Sequence, residues 1–197
     1  MLLWVPMNLL HHWICSSASW KTSVKDRILP WAIGGLDLGD DVLEIGPGPG
    51  ATTELLRSRV KNLTCVEMDP VFADALRGKD LGPNVRVVTG DAAQMTFPDQ
   101  SFDGVVCFTM LHHVPSAALQ DRLLCEAARV LRPGGIFAGT DSLYSRRFSL
   151  LHLFDTMTIV DPATFPDRLT AAGFVDVKVD VVKPHAFRFR AQRPASL

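Results

Sequence analysis

The chain has 197 residues, of which 47% are hydrophobic and 21% charged, enough to bury one core but short for two full domains. Its formal net charge of -1 provides no global positive field to hold duplex nucleic acid, so we expect no nucleic-acid partner. Four cysteines without a C-x-x-C pair favour reduced thiols in a cytoplasmic protein.

The first 20 residues contain no Asp, Glu, Lys or Arg, yet they do not read as a membrane anchor. The charged start of a secretory signal is absent, and Pro6 interrupts an apolar run that is too short to span a bilayer. We therefore predict that residues 1–35 form a helical segment that packs on the following domain, without stable membrane insertion. Its apolar character leaves self-association of the chain open.

From Asp40 onward, short apolar runs alternate with helical patterns. This alternation predicts an α/β domain over residues 36–197, with a doubly wound, mostly parallel sheet covered by helices on both faces. A helix beginning near Ser116 is expected to end at Pro133, Gly134 and Gly135. The last two runs, VDVKVDVV and HAFRFRAQ, favour an antiparallel closing pair, whereas residues 142–160 break the pattern and suggest a substrate-side insert.

The strongest motif is a glycine-rich turn, EIGPGPG at residues 44–50, which follows a predicted strand and opens a predicted helix. Glycines there permit a tight turn and close approach of the backbone to a ligand. Gly46, Gly48 and Ala51 also fit the dinucleotide fingerprint, so a nicotinamide or flavin oxidoreductase is one alternative. The Glu44 carboxylate argues against it, because it would repel a pyrophosphate but could pair with the ammonium group of S-adenosylmethionine.

Acidic residues also follow the next two predicted strands. Glu67 ends the second run, where a carboxylate can accept hydrogen bonds from both hydroxyls of a ribose, and Asp69 is close enough to compete. Asp91, between Gly90 and Ala92, closes the third run and could accept from an adenine amine. The plainer alternatives are a solvated strand-end acid for Glu67 and a helix cap for Asp91.

Five segments in order, EIGPGPG, VEMD, TGDA, SFDGVVCFTMLHHV and RVLRPGGIF, resemble the successive motifs of class I S-adenosylmethionine-dependent methyltransferases over about residues 40–141. The resemblance implies a Rossmann-like fold whose seven-stranded, mostly parallel sheet has an antiparallel last strand, and S-adenosylmethionine as cofactor. The implied cofactor-binding residues are Glu44, Gly46, Gly48 and Gly50 around the methionine moiety, Glu67 at the ribose, Asp91 and Ala92 at the adenine, Thr109 at the methyl-donor channel, and Met68.

Methyl transfer from a sulfonium is a direct displacement, and the neutral composition favours a small-molecule or lipid-like acceptor. A nucleophile that must lose a proton benefits from a base. His112 and His113, at the end of the fourth predicted strand, are the candidates; we expect only one to face the pocket and select His113 as the catalytic residue. Because positioning alone can suffice, a packing role for both is an alternative, as is a regulatory protein that binds the cofactor without catalysis.

The N-terminal segment carries further histidines and aromatic residues. His11 and His12 are adjacent, so they cannot both point from one helix face toward a metal; we expect a surface or interfacial role and no metal site. Trp13, Trp20 and Phe148 could form an aromatic wall over a mostly apolar substrate.

Overall fold

The computed structural model describes residues 8–153, 155–182 and 185–195. The part of the N-terminal segment at residues 1–7 lies outside these ranges. The described chain begins with helix α1 (Leu9–Ser16), helix α2 (Ala18–Ser23), a π-helical turn (Val24–Ile28) and helix α3 (Leu29–Ile33). Helix α1 starts where it does because the Asn8 side chain accepts a hydrogen bond from the His11 N–H at 2.9 Å.

A seven-stranded sheet forms the centre of the molecule, with the strand order β3-β2-β1-β4-β5-β7-β6. The strands are β1 (Asp41–Ile45), β2 (Asn62–Glu67), β3 (Val85–Thr89), β4 (Phe102–Phe108), β5 (Leu131–Ser142), β6 (Val175–Val182) and β7 (Ala186–Gln192). Strands β1 to β5 pair in parallel, and β7 runs antiparallel to both β5 and β6. The predicted α/β fold and its antiparallel closing pair are confirmed.

The remaining helices connect these strands. They are α4 (Thr53–Leu56), α5 (Pro70–Arg77), a 3-10 turn (Leu111–His113), α6 (Ala117–Val130), α7 (Arg146–Leu151) and α8 (Phe165–Ala171). Helix α6 begins as predicted, because the Ser116 hydroxyl accepts from the Leu119 N–H at 3.2 Å. It ends at Val130, earlier than expected, and Pro133 already belongs to β5.

The apolar core lies on both faces of the sheet because alternate residues of each strand point to opposite sides. Val105 belongs to the cluster that includes Phe137 and Phe189, whereas its neighbour Val106 belongs to the cluster on the other face. Leu29 of α3 is fully buried in that second cluster. The N-terminal helices are therefore part of the core packing.

The described residues of the insert at 142–160 contain α7 and then irregular chain that contacts the N-terminal helices. The Asn8 amide donates to the carbonyl of Leu151 at 2.8 Å, so the start of α1 is fixed to the end of α7. Over the described ranges, no helix combines the length and apolar character required to span a membrane.

Candidate active site

A cavity of about 420 Å³ opens at the carboxyl ends of the parallel strands, beneath the N-terminal helices and α7. This is where open α/β sheets bind ligands, and the volume suits a small organic molecule. Eight of the predicted site residues line it, namely Gly46, Gly48, Glu67, Met68, Asp91, Ala92, Thr109 and His113. The other two predicted residues, Glu44 and Gly50, are buried and do not line the cavity.

The glycine-rich turn fits closely against its surroundings. A Cβ atom on Gly46 would lie 2.2 Å from Met110 Cγ, and one on Gly50 would lie 2.3 Å from Leu76 Cδ2. Gly48 has a φ of +52°, and no heavy atom lies within 4 Å of the position its Cβ would take. A side chain at Gly46 or Gly50 would therefore displace a neighbouring side chain, whereas Gly48 leaves half-buried backbone beside open space in the cavity.

Glu67 fixes the cavity side of this turn. Its Oε2 accepts from the Gly48 N–H at 2.9 Å, and its Oε1 accepts from the Asp69 N–H at 3.0 Å. Burial raises the pKa of Glu67, while these backbone N–H groups act in the opposite direction. Each carboxylate oxygen has a second lone pair, so Glu67 can also accept from ligand hydroxyls. Asp69 instead caps α5 through the Val71 N–H.

Glu44 does not occupy the place expected from the sequence. It is 1% exposed, the Thr52 hydroxyl donates to its Oε1, and the Thr53 hydroxyl donates to its Oε2 at 2.6 Å. Burial raises the pKa of Glu44, although the hydroxyl donors oppose that shift. The structure therefore does not place Glu44 where it could contact a ligand ammonium group directly, as the sequence suggested. Its carboxylate instead binds Thr52 and Thr53 and so holds the start of α4 under the glycine-rich turn.

Asp91 and Thr109 border the cavity on either side of Glu67. Asp91 is exposed, and its Oδ1 accepts from the Ala93 N–H at 2.8 Å, so it stabilises a turn and lines the cavity at once. Thr109 has a φ of +49°, which is strained for a β-branched residue. Its N–H donates to the Thr140 carbonyl at 2.8 Å, which holds this backbone in place at the end of β4.

His112 and Asp141 form a buried pair at the end of β4. His112 Nδ1 lies 2.5 Å from Asp141 Oδ1, and the His112 backbone N–H donates to Asp141 Oδ2 at 3.0 Å. His112 Nε2 is buried without a hydrogen-bond partner in the described part of the chain. Both His112 and His113 line the cavity, so the expectation that only one faces it was wrong.

A second group of imidazoles, here called the histidine cluster, consists of His11, His113 and His152. His11 is 6% exposed, so of the two expected roles it has the interfacial one, and it contacts Asp155 as well as the other two rings. Burial lowers the pKa of His152 to about 4 and that of His113 well below its ordinary value, and neighbouring imidazoles add to both shifts. His12, by contrast, is exposed and stacks on Phe72.

The expected aromatic wall forms in part. Trp20 and Phe148 line the cavity, but Trp13 is 69% exposed and faces away from the core. Phe72, which lines the cavity from α5 after β2, and Asp141, which lies near the end of β5 and contacts His112, were not singled out from the sequence. Their positions after β2 and within the end of β5 were the available signal.

Comparison with known proteins identifies a methyltransferase domain in this chain. Residues 43–139 match the family model described as a methyltransferase domain. The chain is 32% identical over 117 residues to a demethylmenaquinone methyltransferase of Tropheryma whipplei, covering 58% of this chain and 46% of that protein. It is 30% identical over 189 residues to 2-methyl-6-phytyl-1,4-hydroquinone methyltransferase 2 of Oryza sativa, covering 92% of this chain and 52% of that protein. The chain thus spans about half the length of these curated relatives.

Solved structures share the fold. Phosphoethanolamine N-methyltransferase 2 of Haemonchus contortus, in complex with S-adenosyl-L-methionine, superposes with a TM-score of 0.75 at 16% identity, covering 94% of this chain and 56% of that one. A Thermotoga maritima S-adenosylmethionine-dependent methyltransferase gives a TM-score of 0.68 at 21% identity, covering 93% and 91%. Given the ordered motifs, the strand topology and the family match, residues 43–139 form a class I S-adenosylmethionine-dependent methyltransferase domain.

Proposed function

We propose that this chain binds S-adenosylmethionine in the cavity and transfers the methyl group to a small-molecule or lipid-like acceptor. The observation that carries the proposal is the shared lining of the cavity. The glycine-rich turn and Glu67 form part of its wall, and a mostly apolar surface from α1, α2 and α7 forms another part. A polar nucleoside and an apolar acceptor can therefore occupy neighbouring parts of the same space.

The residues around the turn fit the chemical groups of the cofactor. Glu67 can accept from ribose hydroxyls, the open backbone of Gly48 allows close approach, and Asp91 with Ala92 offers an acceptor beside a small side chain for a flat base. When bound, S-adenosylmethionine supplies an activated methyl group on a sulfonium. Carboxylates at this edge disfavour the diphosphate of NAD or FAD, which supports the methyltransferase over the oxidoreductase alternative.

The apolar part of the cavity supports an acceptor with a hydrophobic body. Ile14, Trp20, Leu119 and Phe148 contribute to this wall. Relatives carry names that specify demethylmenaquinone, 2-methyl-6-phytyl-1,4-hydroquinone and, at 36% identity over 107 residues, fatty acids as acceptors. Other relatives are named as probable ribosomal RNA methyltransferases, but the net charge of -1 favours a small acceptor over RNA. A cytoplasmic location is part of the proposal.

The geometry favours His112 over the expected His113 as the group that takes a proton from the acceptor. Asp141 holds the His112 ring through Nδ1, which leaves Nε2 with a lone pair and no partner among the described residues. An orienting carboxylate behind an imidazole is a common arrangement for a general base. An acceptor hydroxyl, which must lose a proton as it attacks the methyl group, therefore fits this site well.

A turnover assay tests the proposal. The chain is incubated with S-adenosylmethionine and a panel of hydroquinones, phenols, fatty acids and hydrophilic amines, and S-adenosylhomocysteine release is measured. We expect release with at least one apolar oxygen acceptor and its loss in Glu67→Gln, whereas the exposed-site control Asp80→Asn keeps wild-type turnover. Turnover confined to hydrophilic acceptors would contradict the acceptor class. Cofactor binding with no turnover on any acceptor would support the regulatory alternative.

A further inference from the structure

The histidine cluster joins three parts of the chain that are distant in sequence. His11 belongs to α1, His113 to the 3-10 turn after β4, and His152 directly follows α7. One ring nitrogen from each lies within 4.8 Å of the corresponding nitrogen of the other two. Atoms with this spacing share a centre within about 2.8 Å of each, and ring movements below about 1 Å would bring all three to the 2.0–2.1 Å typical of zinc–imidazole bonds.

Each ring also has a hydrogen-bond acceptor or a carboxylate near one of its nitrogens. His11 Nδ1 lies 3.0 Å from Asp155 Oδ2, and His152 Nδ1 donates to the Phe148 carbonyl at 2.8 Å. His113 makes a hydrogen bond to the backbone of Thr156 and lies 3.9 Å, through Nδ1, from Asp155 Oδ1. Metal-binding histidines characteristically have such a carboxylate or carbonyl behind the ring, which fixes the tautomer and the ring orientation.

One buried polar atom of the histidine cluster and one of the neighbouring Asp155 lack a hydrogen-bond partner among the described residues. Within the described residues, His152 Nε2 and Asp155 Oδ1 are buried and form no hydrogen bond. Because Nδ1 of His152 is the donor, its Nε2 carries an unshared lone pair. Leaving such atoms unsatisfied in the interior is costly, and a cation at the centre of the three rings would satisfy the lone pair.

We infer that His11, His113 and His152 form a binding site for one divalent transition-metal ion such as Zn²⁺, with Asp155 as the carboxylate that supports the ligands. Three imidazoles suit Zn²⁺, and a site with three protein ligands keeps a fourth position open. His11 and His113 line the cavity, so the ion lies in its wall beside the acceptor region. Binding would fasten α1 and the insert at residues 142–160 to the end of β4.

Metal binding can be measured without cofactor or acceptor. The full chain, with any affinity tag removed, is treated with chelator and titrated with Zn²⁺ by calorimetry and with Co²⁺ by visible absorption. We expect one ion per chain and a Co²⁺ spectrum of a low-coordinate nitrogen site. Zn²⁺ should also raise the melting temperature of the wild type, because the ion binds only the folded site.

Variants distinguish this site from adventitious binding. His152→Ala should abolish the stoichiometric binding, and Asp155→Asn should weaken it by about 10- to 100-fold, as expected for a supporting carboxylate. His12→Ala is the matched control, because its exposed ring is adjacent to His11 in sequence but stacks on Phe72. It should bind as the wild type does.

Three results would overturn the inference: a wild-type chain that binds neither ion stoichiometrically, a His152→Ala variant with wild-type affinity, or an equal loss in His12→Ala. The wild-type titrations remain decisive even if one variant fails to fold. Since neither measurement contains S-adenosylmethionine, a failure here leaves the proposed methyl transfer unaffected, and a failure of methyl transfer leaves this site unaffected.

Discussion

The Glu67 carboxylate accepts a hydrogen bond from the Gly48 N–H at 2.9 Å, which joins the end of β2 to the glycine-rich turn after β1. The two residues are 19 positions apart, yet they form adjacent parts of one cavity wall. This contact orients the carboxylate and the turn together. We therefore expect the two motifs to act as a unit in cofactor binding.

Substitution of Glu67 should weaken cofactor binding. Glu67→Gln keeps the size of the side chain but replaces one acceptor oxygen by a donor and removes the charge, so bonds to ribose hydroxyls are lost. We expect the Kd for S-adenosylhomocysteine to rise by about 10- to 100-fold, as for loss of a hydrogen bond to a charged group. Calorimetric titration measures it, with Asp80→Asn as the control. An unchanged Kd in Glu67→Gln would exclude Glu67 from the ribose site.

Gly46 should tolerate no side chain. The Cβ of Gly46→Ala would meet Met110 Cγ at 2.2 Å, and its φ of +62° is strained for alanine. Gly173 has a φ of +98° but open space around its Cβ position, so Gly173→Ala carries the strain without the clash. Denaturant unfolding should show Gly46→Ala to be less stable than Gly173→Ala by about 1–3 kcal/mol, the usual cost of overpacking. Equal losses of unfolding free energy in the two variants would contradict this prediction, because they would mean that the turn rearranges to accommodate the added methyl group.

Glu44 should make stability depend on pH. Burial raises its pKa above the ordinary 4.5, so between that value and the folded-state pKa the folded chain binds more protons than the unfolded chain. The free energy of unfolding must then fall as pH rises through this window. Glu44→Gln removes this contribution, and we expect its stability relative to wild type to increase as the pH rises above 4.5. Parallel wild-type and variant curves in denaturant unfolding would contradict this sign.

The buried pair of His112 and Asp141 should affect turnover more than cofactor affinity. His112→Asn removes the proposed base and should lower kcat by about 10²- to 10⁴-fold, while the Kd for S-adenosylhomocysteine stays near the wild-type value. Asp141→Asn should also lower kcat, because the His112 ring loses the carboxylate that orients it. If His112→Asn kept full turnover and His113→Ala lost it, the role would return to His113.

The sequence predicts the parallel sheet and the positions of Glu67 and Asp91 because these depend on local patterns, whereas Thr109 is implied by the resemblance to the methyltransferase family. A strand's period and its terminal residue are visible in the sequence, and parallel strands bring those ends to one edge. The partners of Glu44 were harder to foresee, since two threonine hydroxyls occupy its oxygens only once α4 folds over β1. Whether a strand-end acid faces the ligand or the loop depends on that packing.

The histidine cluster could not be predicted from spacing. His11 and His113 are brought together only by the way α1 docks across the end of the sheet, and His152 arrives from the insert. The adjacency of His11 and His12 correctly excludes a shared helix-face site, but ligands from separate elements leave no local signature. Burial of His11 is likewise a property of tertiary packing and not of α1 itself.

The most direct test of the account is a calorimetric titration of the wild-type chain with S-adenosylhomocysteine and, separately, with NAD and FAD. We expect saturable one-to-one binding of S-adenosylhomocysteine and no binding of either dinucleotide, because carboxylates border the glycine-rich turn. Binding of NAD or FAD without binding of S-adenosylhomocysteine would contradict the proposed use of this cavity.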